Sequence, residues 1–178
     1  ENVATAQFSL PSNRYKEGSQ RRNTVDALLE KARAIPGAKH VGVTTYLPFS
    51  GSNNASGLLI EGRPLAPGEL PPVPGWNTIS SGYLQAMGIP LLAGREFTRS
   101  DVLGGPKVAI VNEAFARKFR LGREAVGKRM NTGIGSGVKL EMEIVGLVQD
   151  AKYSEVKRQV PPLFFTPYRQ DAEIGAIT

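Results

Sequence analysis

The chain contains no cysteine. Disulfide cross-links, thiol nucleophiles and cysteine-based metal sites are therefore excluded. The redox compartment stays open, since such a chain suits oxidising and reducing surroundings alike. Histidine is nearly as scarce, with His40 the single one. A zinc site would need carboxylates beside it, and a Ser-His-Asp triad would have to recruit it. No Gly-x-Ser-x-Gly elbow is present to supply the serine. His40 stands at the head of a predicted strand, just after a helix stop, which reads as a surface or capping histidine.

Long apolar runs are missing too. Residues 41–60 and 70–94 carry no charge, but Ser, Asn, Thr, Pro and Gly interrupt both, unlike a spanning helix of about 20 apolar residues. No basic stretch followed by an apolar run opens the chain, so no secretory signal is visible. It begins in strand-like sequence and reads as a segment of a longer protein.

What is present suits a folded domain. The 178 residues are 40% hydrophobic, enough for one compact unit or two small subdomains sharing strands. Gly 20 and Pro 13 are near average usage, which argues against a disordered or collagen-like chain. The net charge of +6 comes from 22 basic and 16 acidic residues. A basic balance is compatible with nucleic acid, an anionic membrane surface or acidic ligands. The basic residues are dispersed, however, with local groups at 21–22, 31–33, 117–123 and 128–129, and acidic residues sit near several of them. They read as solvated faces.

Periodicity predicts an α+β fold of eight or nine strands and three helices. Residues 3–10 alternate as a half-buried strand. A helix is predicted over 18–35, with Val25, Leu28, Leu29, Ala32 and Ile35 forming one apolar stripe and Pro36-Gly37 stopping it. Residues 40–47 follow as a strand, so the opening reads as a βαβ unit. A Pro-rich excursion at 63–74 separates short strands at 57–61 and 76–79. Ser80-Ser81 is placed to cap a short helix that Gly88 ends, and Gly94 permits a turn. A β-branched strand at 107–111 leads to Asn112, a cap for a helix whose Phe115 and Phe119 share a face. Strands at 127–130, 138–148 and 163–168 complete this part, and 174–178 starts another. Along 138–148 the alternation puts Leu140, Met142, Ile144 and Gly146 on one face. The character changes near Asp101, giving expected divisions of 1–100, 101–170 and 171–178.

Candidate chemistry is thin. Gly133-Ile134-Gly135-Ser136-Gly137 has the glycine content of a phosphate loop, but a strand rather than a helix follows it, so a hairpin tip is expected. Asp101, Glu113, Glu141, Glu143 and Asp150 are the carboxylates of the second half. Glu141 and Glu143 share the polar face of a strand, without the contrasting environments that catalytic pairs need. Phe115 and Phe119 read as core rather than as base-stacking aromatics, and Trp76 and Tyr83 as core rather than as an interaction surface. No catalytic, cofactor or metal residue is assigned.

Several phrases carry a family resemblance. Residues 77–97 (NTISSGYLQAMGIPLLAGREF), 108–119 (VAIVNEAFARKF), 127–129 (GKR), 143–153 (EIVGLVQDAKY) and 161–168 (PPLFFTPY) occur in that order. They follow an early helix ending in Ile35-Pro36-Gly37, then Val41-Gly42-Val43-Thr44 and Leu47-Pro48-Phe49. Together they resemble the extracytoplasmic domain of MacB/FtsX-like ABC transporter permeases, with the flavour of the acidobacterial-type permeases. Ala125-Val126 departs from the Asp-Pro common at that turn in relatives. The resemblance implies a porter-like βαβ subdomain over 1–100 and a Sabre-like strand-helix-strand-strand subdomain over 101–170. Residues 171–178 would return to the porter part, which would be completed beyond Thr178.

It further implies one membrane helix before this segment and three after it, on the periplasmic side of the inner membrane. The implied role is non-catalytic: transmitting motion, or contacting a substrate or periplasmic partner. An ATPase subunit would act through the membrane helices, and no nucleic acid is involved. A stand-alone secreted binding module, and a hydrolase built on His40 or the carboxylates, are the alternatives.

Overall fold

The computed structural model describes residues 3–11, 13–47, 54–132, 138–151, 160–172 and 176–177. Ten strands and three α-helices are found among them: β1 (Phe8–Ser9), α1 (Gly18–Arg33), β2 (Asn54–Ala55), β3 (Leu59–Ile60), β4 (Gly75–Ile79), α2 (Tyr83–Ala86), β5 (Leu91–Gly94), β6 (Val108–Asn112), α3 (Glu113–Lys118), β7 (Arg129–Asn131), β8 (Met142–Val148), β9 (Leu163–Pro167) and β10 (Ala176–Ile177). The α+β class expected from the sequence is what forms.

Eight strands make one mixed sheet in the order β2-β4-β9-β6-β8-β7-β3, with β5 also paired to β8. Pairs β4–β9 and β6–β8 are parallel, and the rest are antiparallel. Strands β2 to β5 precede Asp101 and β6 to β9 follow it, so that residue lies within the span of one hydrogen-bonded sheet. After it runs β6–α3–β7–β8, a strand-helix-strand-strand order.

Strands β6 and β9 are buried along their whole length, and β8 from Ile144 onward, as expected of strands covered on both faces. Ala109, Val111, Ile144, Leu147 and Phe164 face one core with Phe115 and Phe119 of α3 and Leu58 and Met130. Val108, Ile110, Val145, Val148 and Phe165 face a second core with Tyr83, Leu84, Ile89 and Phe97.

The period of two breaks once. Ala109 pairs with Ile144 but Ile110 pairs with Gly146, so Val145 is an extra residue, a β-bulge. The alternation predicted through Gly146 therefore shifts, and Leu147 takes up the face begun by Ile144. Here β5 crosses β8 closely. A Cβ on Gly94 would lie 2.1 Å from the Val145 carbonyl oxygen, and one on Gly146 would lie 2.5 Å from that of Arg95. Neither position has room for a side chain.

Asn112 caps α3 as its sequence position predicts: its Oδ1 accepts from Phe115 N at 2.9 Å. The same oxygen accepts from Leu163 N at 2.9 Å, and Nδ2 donates to the Pro161 carbonyl at 3.0 Å, which ties the helix start to β9. Ser80 does not cap α2. Its Oγ instead accepts from Val43 N at 2.9 Å, and Gly82 occupies the capping position. The segment at 40–47 forms no regular strand, only one antiparallel bridge, Thr44 to Ile79. Its polar groups turn to Asn77, whose Oδ1 accepts from Thr44 Oγ1, Thr45 Oγ1 and Tyr46 N. Side-chain bonds from Asn77 thus add to the two backbone bonds that flank this bridge, Thr45 N to the Thr78 carbonyl and Ser80 N to that of Val43, each at 3.0 Å.

Helix α1 packs on a third, smaller core of Leu10, Val25, Leu29, Val43 and Tyr168. Its apolar stripe is narrower than predicted: Val25 and Leu29 are buried, but Leu28 is 37% and Ile35 59% exposed. Leu29→Ala is expected to destabilise the domain by roughly 2–5 kcal/mol through the cavity left behind. Leu28→Ala should cost no more than about 0.5 kcal/mol. Urea unfolding of the two variants checks the difference.

Candidate functional site

The residues that link α1 to the sheet form an extended polar assembly. Strand β9 ends at Pro167, and the next residues, Tyr168–Gln170, make one 3-10 turn. Tyr168 is 4% exposed and packs in the α1 core. Its hydroxyl donates to Asp26 of α1, and Arg169 Nη2 meets the other Asp26 oxygen at 2.7 Å. One turn further along α1, Glu30 pairs with Arg99. Arg22, one turn before Asp26, donates to the Asp171 carbonyl at 2.8 Å. The helix start presses on the same stretch: a Cβ on Gly18 would lie 2.0 Å from the Ala172 carbonyl oxygen.

Residues 168–171 also grip the loop between β5 and β6. Leu103 N donates to the Arg169 carbonyl at 2.9 Å, and Gln170 Nε2 donates to that of Pro106 at 2.7 Å. Gln170 Oε1 accepts from Val108 N at 3.1 Å, at the start of β6. Beneath this loop Asp101, 7% exposed, takes both Arg95 guanidinium nitrogens at 2.9 Å and Thr98 N at 2.7 Å. Helix, loop and sheet therefore meet at four consecutive residues.

The electrostatics follow from burial and partners. Burial alone would raise the pKa of Asp101, but the Arg95 hydrogen bonds and the Thr98 amide outweigh it, and the pKa is lowered. Asp101 thus contributes stability above the ordinary carboxylate range that is lost as pH falls through its lowered value. Tyr168 moves the other way. Burial, helped by the bond donated to Asp26 and opposed by Arg169, pushes its phenol up to about 12.

The sequence candidates are scattered rather than gathered. His40 is exposed and lies outside any helix or strand. Glu141 pairs with Lys107 at 3.1 Å, and Glu143 is exposed on β8. Asp150 accepts from Ala114 N at 2.8 Å and pairs with Arg117, while Glu113 accepts from Asp150 N at 3.1 Å. These contacts dock α3 onto the chain leaving β8. Phe115, Phe119 and Tyr83 are core residues. Trp76 packs against the core, stacking on Phe164 with centroids 5.9 Å apart and donating to Thr166 at 2.7 Å. The glycine-rich stretch 133–137 lies outside the described residues. Among those described, no cluster of three His, Asp or Glu side chains is arranged to hold a metal ion, and no helix is long and apolar enough to cross a membrane.

The junction was missed because each member looks ordinary alone. A signal existed: Arg22, Asp26, Glu30 and Arg33 recur every three or four residues on one side of α1, a polar stripe beside the apolar one.

Solved structures share this architecture. The periplasmic region of MacB from Actinobacillus actinomycetemcomitans aligns with a TM-score of 0.51 and 17% identity, over 83% of this chain and 61% of that one. The extracellular domain of the ABC-type transporter YknZ from Gram-positive bacteria aligns at 0.54 and 16%, over 96% of this chain and 79% of that one. At such identities the likeness is one of fold, and the chain spans about three fifths of the MacB region. Both of these structures are extracytoplasmic parts of transporters. The family model of the MacB-like periplasmic core domain matches residues 2–175, and the chain belongs to that family. No curated protein matches it.

Tyr168→Phe is expected to change alkaline stability. A phenol whose folded pKa is raised stabilises the fold fully below its ordinary pKa of about 10, and that contribution is lost as pH rises to about 12. The wild-type chain should lose stability relative to the variant across this window, with one phenolate absorbance step near pH 12 missing from Tyr168→Phe.

Proposed function

We propose that this domain is a non-catalytic part of an ABC transporter permease, held on the periplasmic face of the inner membrane by helices of its full-length chain. It receives motion from those helices, driven by an ATPase acting through them, and passes it to a surface that meets substrate or a periplasmic partner.

The observation that supports this is the β1–β10 ribbon. Phe8 pairs with Ile177 and Ser9 with Ala176, antiparallel. Chain arriving at β1 and chain continuing from β10 therefore run side by side. Force applied to the ribbon reaches Leu10 in the α1 core on one strand, and the Asp171–Ala172 stretch under α1 on the other. From there it passes through Tyr168–Gln170 straight into β9, which is parallel to β4 over five residues and buried throughout. Among the described residues this route runs through packed core and hydrogen-bonded sheet, which transmit strain rather than absorb it. Asp101, Glu113, Glu141 and Asp150 serve in separate ion pairs and docking contacts, which suits a mechanical role.

This segment has no cysteine, so a single one introduced here is a specific label once any cysteines elsewhere in the full-length protein are replaced. In the full-length protein, Ser100→Cys, on an exposed turn, is expected to react with a membrane-impermeant maleimide in cells with a permeable outer envelope, and the labelled protein to stay with the membrane fraction. Labelling that needs lysis of the inner membrane, or labelled protein released into the soluble periplasmic fraction, would overturn the reading. The second outcome would make the protein a secreted binding module.

A further inference from the structure

The proline-rich excursion between β3 and β4 has no task in the fold or in the reading above. It opens on a tight turn. Glu69 N donates to the Ala66 carbonyl at 2.9 Å, and Ala66 N donates to Glu69 Oε2 at 3.0 Å. Pro67 and Gly68 fill the corners, Gly68 with φ +78 to +81 being the left-handed residue that a type II turn needs at its third position. Leu70-Pro71-Pro72-Val73-Pro74 follows. Three of these five residues have φ set by the proline ring, and Leu70, Pro71 and Val73 are each kept off the helical region by the proline after them. No peptide bond among the described residues is cis. Local sterics therefore select the polyproline II conformation, with three residues per turn.

Burial follows that period of three. Leu70 and Val73, one turn apart, are 85% and 60% exposed, the two most exposed large hydrophobic side chains among the described residues. Pro71 is half-buried, and Pro74, one turn on, is buried. The Pro72 carbonyl accepts from the N–H of Leu58, a core residue, at 3.0 Å, and Gly75 N, where β4 begins, donates to the Pro162 carbonyl at 2.9 Å. With the turn at 66–69, these bonds hold the segment at both ends and in its middle. Two aliphatic side chains thus stand about 9 Å apart on one fixed outward face. The two charges of residues 63–74, Arg63 and Glu69, pair with each other at 3.9 Å, and Glu61 just before them accepts from Arg129 N. The Leu70 and Pro71 carbonyls accept no backbone bond among the described residues. A rigid ridge with its charges paired matches neither an anionic bilayer nor nucleic acid. It matches aromatic side chains, whose ring faces pack on aliphatic groups while an indole N–H or phenol O–H reaches a carbonyl.

We propose that residues 70–74 are a preformed docking ridge for a second protein, which seats Leu70 and Val73 in a shallow groove between aromatic side chains and donates to the exposed carbonyls. This deepens the reading above by giving its partner a chemistry, and rests on that reading only for the compartment in which the partner is met. Because the ridge is ordered before docking, little conformational entropy is lost when the partner arrives. Two aliphatic side chains then suffice for a transient contact.

The test places the photocrosslinker benzoylphenylalanine at position 73 of the full-length protein in intact cells. Irradiation is expected to give one adduct with a different protein, and mass spectrometry to map the attachment beside Trp or Tyr side chains whose replacement by Ala abolishes the adduct. Leu70→Ser leaves the core untouched, since that side chain stands in water. It removes an apolar group that the groove buries, and is expected to lower the adduct yield about tenfold. Pro71→Gly keeps both aliphatic positions, frees the backbone and is expected to lower the yield as well. No adduct, an adduct with lipid or with a second copy of the chain, a yield indifferent to Leu70→Ser or to Pro71→Gly, or attachment to a stretch without such aromatic residues would each overturn the proposal. The adduct is scored whichever compartment its partner comes from. Failure here therefore leaves the maleimide result untouched, and failure there leaves this one readable.

Discussion

Burial of β6, β8 and β9 on both faces is the condition that the rest of the chain satisfies. A strand covered on one side can leave its other face to water, but these cannot, so each must receive side chains from two layers. Helix α3 and the segments around Leu58 and Met130 supply one layer, and α2 with Ile89 and Phe97 supplies the other. The bulge at Val145 lets both layers fit, since it resets which residues of β8 face which core while β5 crosses against two glycines. Polar groups at the margins must then find partners inside the protein. Asn77 and Asn112 each take three or more bonds for that reason, and Thr166 receives Trp76.

The same condition shapes how α1 attaches. With both faces of the central strands already filled, α1 has its own small core, joined to the sheet at the end of β9. The junction is therefore narrow in sequence and rich in ion pairs: Asp26 with Tyr168 and Arg169, Glu30 with Arg99, Arg22 with the Asp171 carbonyl. Exposed ion pairs contribute little individually, but Tyr168 is buried in that core, and its hydroxyl needs the Asp26 bond to avoid an unsatisfied polar group. Apolar packing and polar pairing thus depend on one residue.

The parts of the fold legible in the sequence were those written locally. Asn112 before a helical stripe, Gly88 after a short helix and the β-branched run at 108–111 state their roles in a few residues. What depended on tertiary partners was not legible. The segment at 40–47 has strand-like alternation, yet it pairs with β4 only around Thr44, and beyond that bridge the side chain of Asn77, over thirty residues away, takes the Tyr46 amide. Ser80 looked like a helix cap, but the Val43 amide claimed its hydroxyl. Leu28 belongs to the helical stripe by spacing, but the α1 core is too small to reach it. The phase shift at Val145 has no local signature beyond Gly146, which is also an ordinary residue to find in a strand near a bulge. The site was harder still, because its members come from residues 22–30, 95–103 and 168–171, each unremarkable in its own stretch.

Asp101 shows how the chemistry of these groups bears on what the domain does. A carboxylate serving as a general acid needs its proton held near working pH, and burial would deliver that. Here burial is overridden by a two-nitrogen grip from Arg95 and the Thr98 amide, so Asp101 stays charged. Tyr168 is fixed in the opposite state, neutral to about pH 12. Both groups are locked into single protonation states at the points where loop and helix join the sheet. Groups held in this way keep parts together across a wide range of pH. That behaviour is compatible with the proposed passage of strain from the two-stranded ribbon into the buried sheet.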